Sequence, residues 1–182
     1  NRSQPLVCIN DYSDFSGGVP SVCSDDRKAI RDAVDFLYGR GHRVISLLIT
    51  NMNTLNNLVR AGAFEEYTAG YGGRLRGSVI RTESRFLNAV PLERYVEKLP
   101  ADCTAVIAPV EAFGNRLYKI LKALRPEAAL IPWCYPLHDY AAAAGIPFMR
   151  QDFRSLAETA VKMLQDQLQG MPVSNSFVPY IF

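Results

Sequence analysis

Two kinds of hydrophobic spacing alternate along this chain. Short apolar runs at Pro5–Ile9, Ser21–Ser24, Val44–Ile49, Ser78–Arg81, Thr104–Ala108 and Ala129–Ile131 read as strands. Val44–Ile49 shows no polar alternation, the pattern of a strand covered on both faces of a parallel sheet. Between these runs the apolar positions fall three and four apart. Ile30, Ala33, Val34 and Leu37 predict a helix from about Arg27 to Tyr38, capped by Asp25-Asp26 and stopped by Gly39-Arg40-Gly41-His42. Leu55, Leu58, Val59 and Tyr67 predict a second helix, ahead of the turn Gly70-Tyr71-Gly72-Gly73. A third helix begins near Pro91, where the missing N–H of proline costs nothing. Phe113, Leu117, Ile120, Leu121 and Leu124 line a fourth. An extended piece at Pro147–Met149, a helix from Phe153 to about Leu168 and a strand at Phe177–Ile181 close the chain. Strands alternating with helices predict an α/β fold, a parallel sheet with helices on both faces. The first strand has no earlier helix to cover it, which predicts a fragment with more sequence upstream.

Composition narrows the function classes. A chain of 182 residues with 48% hydrophobic content buries a real core in one or two compact lobes. Twenty Lys and Arg against eighteen Asp and Glu leave a net charge of +2, too little to argue for direct nucleic-acid or anionic-membrane binding. No apolar run approaches bilayer length, and residues 1 to 20 lack the charged and apolar regions of a secretion signal. The four cysteines, Cys8, Cys23, Cys103 and Cys134, are scattered without a C-x-x-C pair or a nearby histidine, so they read as reduced core thiols of a cytoplasmic protein. No metal site and no cofactor are expected.

Several motifs, in order and spacing, then carry a resemblance. Pro5-Leu6-Val7-Cys8-Ile9-Asn10 and Ser21-Val22-Cys23-Ser24-Asp25-Asp26 are two strands with polar ends. Phe36-Leu37 followed by Gly39-Arg40-Gly41-His42-Arg43-Val44-Ile45 is the most specific element. Arg60-Ala61-Gly62-Ala63-Phe64, Thr104–Glu111 and the crossing Arg150–Leu156 follow. Read together, these resemble the effector-binding region of LacI/GalR-family transcriptional regulators over nearly the whole chain. The resemblance implies the type I periplasmic-binding-protein-like fold, in which two α/β lobes close over a small molecule. One lobe is expected complete, from residues 27–146 and 172–182. Residues 1–26 and 147–171 are expected to be the remnant of the N-terminal lobe. It implies a cytoplasmic homodimer that senses a small, sugar-like effector and contacts DNA only through a headpiece absent from this chain. A ligand of such a protein acts by its difference in affinity for two arrangements of the lobes.

The same resemblance names candidate ligand-binding residues at the carboxyl ends of strands, where open α/β sheets present their ligands. Asn10 either exchanges hydrogen bonds with a sugar hydroxyl or caps its own turn. Arg60 either offers its planar fork to hydroxyls or a carboxylate, or lies on a solvated helix face. Gln151 is expected to bond a hydroxyl, while Phe153 either packs on the C–H face of a ring or belongs to the core. Trp133 stands where the family has an aromatic residue, and Cys134 stands where it has an aspartate. Val110 replaces a cleft asparagine, with Glu111 keeping the acid beside it. These two departures remove polar anchors and point to a less hydroxylated or differently charged ligand. His42 reads as a structural hydrogen-bonding residue, and His138 has no partner pattern for catalysis. With no nucleophile elbow, P-loop or dinucleotide motif, an enzyme is not expected. A sugar-binding receptor of a transport system is the alternative that shares the fold.

Overall fold

The computed structural model describes residues 4–10, 18–50, 54–82, 91–109, 114–134 and 140–182. Its chain divides into two compact units, one of residues 1–26 with 151–181, the other of residues 27–150 with Phe182.

The first unit holds strands β1 (Cys8–Ile9) and β2 (Ser21–Ser24) and the C-terminal strand β7 (Ser176–Val178) in a parallel sheet of order β1-β2-β7. Helix α6 (Phe153–Leu168) packs Leu156, Ala160 and Met163 against Val22 and Val178. The helix starts where it does because the Asp152 carboxylate accepts from the Ser155 backbone N–H at 3.0 Å and from the Ser155 hydroxyl at 2.7 Å. At the outer edge the Gln167 side chain donates to the Leu6 carbonyl and accepts from the Leu6 N–H, tying the chain start to this helix.

In the second unit, helix α1 (Asp26–Gly39) leads into a parallel sheet of order β4-β3-β5-β6, built from β3 (Val44–Thr50), β4 (Arg76–Thr82), β5 (Ala105–Ala108) and β6 (Ala129–Pro132). The crossovers carry α2 (Leu55–Ala69), α3 (Leu92–Glu97) and α4 (Gly114–Leu124), and the short α5 (Tyr140–Ala143) follows β6. One face of the sheet packs Leu48, Val106 and Leu130 on Leu92, Tyr95, Val96, Leu117 and Leu121. On the opposite face α2 comes down on Gly77, where an added Cβ would sit 2.6 Å from the Thr68 hydroxyl oxygen and 2.9 Å from the Phe64 ring. Helices on both faces explain why β3 and β5 carry no polar alternation.

The α/β class, the parallel sheets and the order of the elements follow the hydrophobic pattern, with differences at the ends. Only Trp133↔Met149 pairs in the piece expected to be extended at Pro147–Met149. The expected partition is corrected at two places. Residues 172–181 join the first unit, because Val22↔Ser176, Cys23↔Phe177 and Ser24↔Val178 pair in parallel. Residues 147–150 stay with the second unit, since Met149 is fully buried and exchanges backbone bonds with Pro132 and Cys134 at 2.9 and 2.8 Å.

Candidate functional site

Each unit gathers polar side chains at the carboxyl ends of its parallel strands. In the first unit the chain leaves β1 through Asn10, whose φ of 57° is left-handed, a conformation that asparagine tolerates better than most residues. That turn directs the Asn10 amide oxygen back toward the end of β2, where it accepts from the Ser24 N–H at 3.3 Å and the Ser24 hydroxyl at 3.4 Å. The Gln151 amide donates to the same Ser24 hydroxyl at 3.0 Å and lies 3.5 Å from the Tyr180 hydroxyl. Tyr180 in turn donates to the buried Asp26 carboxylate at 2.8 Å. Asn10 and Gln151 are thus brought together through Ser24. Phe153 opens α6 with 40% of its surface exposed, so it is not a core residue. Sequence reading missed Ser24 and Tyr180; the signal for Ser24 was its position as the polar end of an apolar strand.

In the second unit the strand order reverses at β3, which has β4 on one side and β5 on the other. A doubly wound sheet opens its crevice at such a reversal. Over it Arg60, on the second turn of α2, donates to the Pro109 carbonyl at 3.3 Å, and its guanidinium carbon lies 5.9 Å from the centre of the Trp133 ring. Arg60 is half-buried and Trp133 is buried, so the cation is held between a carbonyl and an aromatic ring rather than dissolved in solvent. Cys134, next along, is buried, and its thiol meets the Tyr140 hydroxyl. Burial, reinforced by that thiol, pushes the Tyr140 phenol above its ordinary value, so it stays protonated. Asn57, absent from the sequence-derived candidates, sits under the start of α2 and donates its side-chain amide to the Thr50 carbonyl at 3.2 Å and hydroxyl at 2.9 Å. Its place in a helix made it look like one more polar position.

Arg60, Trp133 and Cys134 therefore belong to the second unit, and Asn10, Gln151 and Phe153 to the first. Val110, Glu111 and His138 lie outside the described residues. His42 contacts the Thr104 hydroxyl at 3.0 Å and stands in the turn between α1 and β3, a structural place. Among the described residues no three His, Cys, Asp or Glu are grouped as a metal ion requires, and no helix is long and apolar enough to cross a membrane.

No family model matches the chain. An uncharacterized HTH-type transcriptional regulator, YkvZ of Bacillus subtilis (strain 168), is 22% identical over 181 residues, covering 96% of this chain and 54% of that protein. The chain thus spans about half the length of the curated relative it matches. A putative LacI-family transcriptional regulator from Rhizobium etli superposes with a TM-score of 0.77 at 20% identity, covering 98% of this chain and 68% of that one. A LacI-family regulator from Enterococcus faecium with bound ribose gives a TM-score of 0.72 at 19% identity, with 98% and 68% covered. The chain has the fold of the effector-binding region of LacI-family transcriptional regulators, a periplasmic-binding-protein-like arrangement of parallel α/β units.

Proposed function

We propose that this chain is the effector-sensing region of a LacI-type transcriptional regulator, and that it acts by binding rather than by catalysis. The observation that carries the reading is Arg60, which the second unit holds at its strand reversal between the Pro109 carbonyl and the Trp133 ring. A planar cation held against an aromatic ring is pre-set in orientation and can direct a small ligand through its fork of donors. The ligand is sugar-like, in keeping with the ribose in the Enterococcus faecium regulator. Within the first unit by itself, Asn10 at the end of β1, Gln151 and the exposed Phe153 at the start of α6 offer amide and aromatic groups suited to the same class of ligand. Cys134 and Val110 in place of acidic and amide anchors favour a ligand with fewer hydroxyls than a hexose. The intact protein works in the cytoplasm as a homodimer and reads DNA through a separate headpiece.

Effector binding shifts the balance between two conformations by the difference in its affinity for them. The test is a calorimetric screen of sugars, sugar acids and nucleosides on the intact protein, with an Arg60→Ala control. Saturable binding that Arg60→Ala weakens by more than about fivefold is expected, since loss of a charged hydrogen-bond partner costs more than about 1 kcal/mol. Binding unchanged within about twofold would remove Arg60 from the site.

A further inference from the structure

Strands β3 and β4 align three polar or apolar pairs on one face: Ser46↔Ser78, Leu48↔Ile80 and Thr50↔Thr82. Register partners on neighbouring parallel strands project to the same side, and the first pair shows it, with the two serine hydroxyls 2.7 Å apart. The last pair, at the carboxyl edge, behaves differently. Thr50 is drawn to Asn57, whose amide donates to its hydroxyl oxygen at 2.9 Å. Thr82 is fully buried, and its hydroxyl has no hydrogen-bond partner among the described residues. Leu48, Ile80 and Leu92 form the apolar cluster on that face. A buried hydroxyl left unsatisfied in such surroundings is costly, whereas a valine of the same shape would fill the space without penalty. Native proteins keep few such groups, and each calls for a use.

We infer that Thr50 and Thr82 together hold one uncharged oxygen of the effector, a hydroxyl or carbonyl, at the carboxyl edge of the second unit's sheet. This rests on the sensing function proposed above and adds to it a subsite outside the Arg60 contact. Neighbouring strands run about 4.8 Å apart, so a single oxygen seated off the line that joins the two hydroxyls can stand about 2.8 Å from both. Thr50 keeps its hydroxyl hydrogen to donate, because Asn57 occupies a lone pair. Thr82 keeps both a donor and an acceptor. Thr50, Thr82 and Asn57 are all uncharged, which suits a neutral oxygen over a carboxylate or phosphate. Asn57 is a positioning residue: by holding Thr50 it prevents the closure seen between Ser46 and Ser78.

The test uses Thr82→Val and Thr82→Ser in the intact protein, with thermal melting and calorimetric titration of D-ribose, D-gluconate and adenosine. Thr82→Val is expected to melt at a higher temperature than the parent without ligand, and to bind the tightest of these probes at least about fivefold more weakly. Thr82→Ser, which restores the hydroxyl, is expected to bind within about twofold of the parent. A lower melting temperature for Thr82→Val would show that a structural water already satisfies the hydroxyl, and equal affinity would show that no effector oxygen reaches it. Either result overturns the inference while leaving the sensing reading intact. If the parent binds none of the probes, the sensing reading for this ligand class fails and the subsite falls with it.

Discussion

Gly77 fixes the distance between α2 and β4. A Cβ at this position would press on Thr68 and Phe64, and Phe64 is fully buried, so neither neighbour moves freely. Gly77→Ala is expected to destabilise the chain by about 1–3 kcal/mol in chemical denaturation, the range of an overpacked core. Such a residue was invisible in the sequence, because a lone glycine near a strand start announces a turn as readily as a close approach. Arg60 was legible, since its motif places it on a helix beside Leu58, Val59 and Phe64. What it touches was not, because Pro109 and Trp133 are distant in sequence and meet it only through the sheet order. Thr82 could not be found from sequence at all: its place opposite Thr50 follows from strand register, its hydroxyl lacks a partner only among the described residues, and threonine is an ordinary strand residue.

At the level of elements, the termini of helices decide where the sheets' polar ends face. Helix α6 depends on its Asp152 cap, so Asp152→Ala is expected to cost about 1 kcal/mol, or roughly 2–4 °C in the melting temperature of a chain this size. The turn from α1 to β3 is set by Gly41, whose φ of +93° suits glycine, and by the Arg43 guanidinium stacked 3.9 Å from the centre of the Tyr38 ring. Within it, burial and then the nearby Arg40 and Arg43 cations hold the His42 imidazole below its ordinary value. The folded chain therefore binds this proton less well than the unfolded one. The stability that His42 contributes is present above the unfolded value of about 6.5 and is lost as pH falls from there toward the folded value. His42→Gln is expected to flatten the decline in melting temperature between about pH 7.5 and 5.5, an effect kept small by the partial exposure of the ring. Elements with long, regular periodicity, such as α1 and β3, were readable from spacing to within a residue or two. Met149 was not, because its single bridge to Trp133 needs a partner that no local pattern reveals.

For the molecule as a whole, the alternation of strands and helices dictated parallel sheets, and the motif order pointed to the regulator fold that the Rhizobium etli structure shares. The assignment of residues 172–181 failed for a physical reason. A short C-terminal strand has no preference of its own, and the free edge of β2 supplied three register pairs. Its near-neutral balance, with a net charge of +2, gives this chain no electrostatic hold on DNA, so its affinity for duplex DNA is expected to be weak and to vanish with added salt. The central claim is that a small molecule is bound at the strand reversal of the second unit. The most direct measurement is a crystal structure of the intact protein with the tightest ligand from the screen. Ligand oxygens are expected within hydrogen-bond distance of the Arg60 guanidinium, beside the Trp133 ring. A ligand seated elsewhere, with Arg60 still closed on the Pro109 carbonyl, would contradict it.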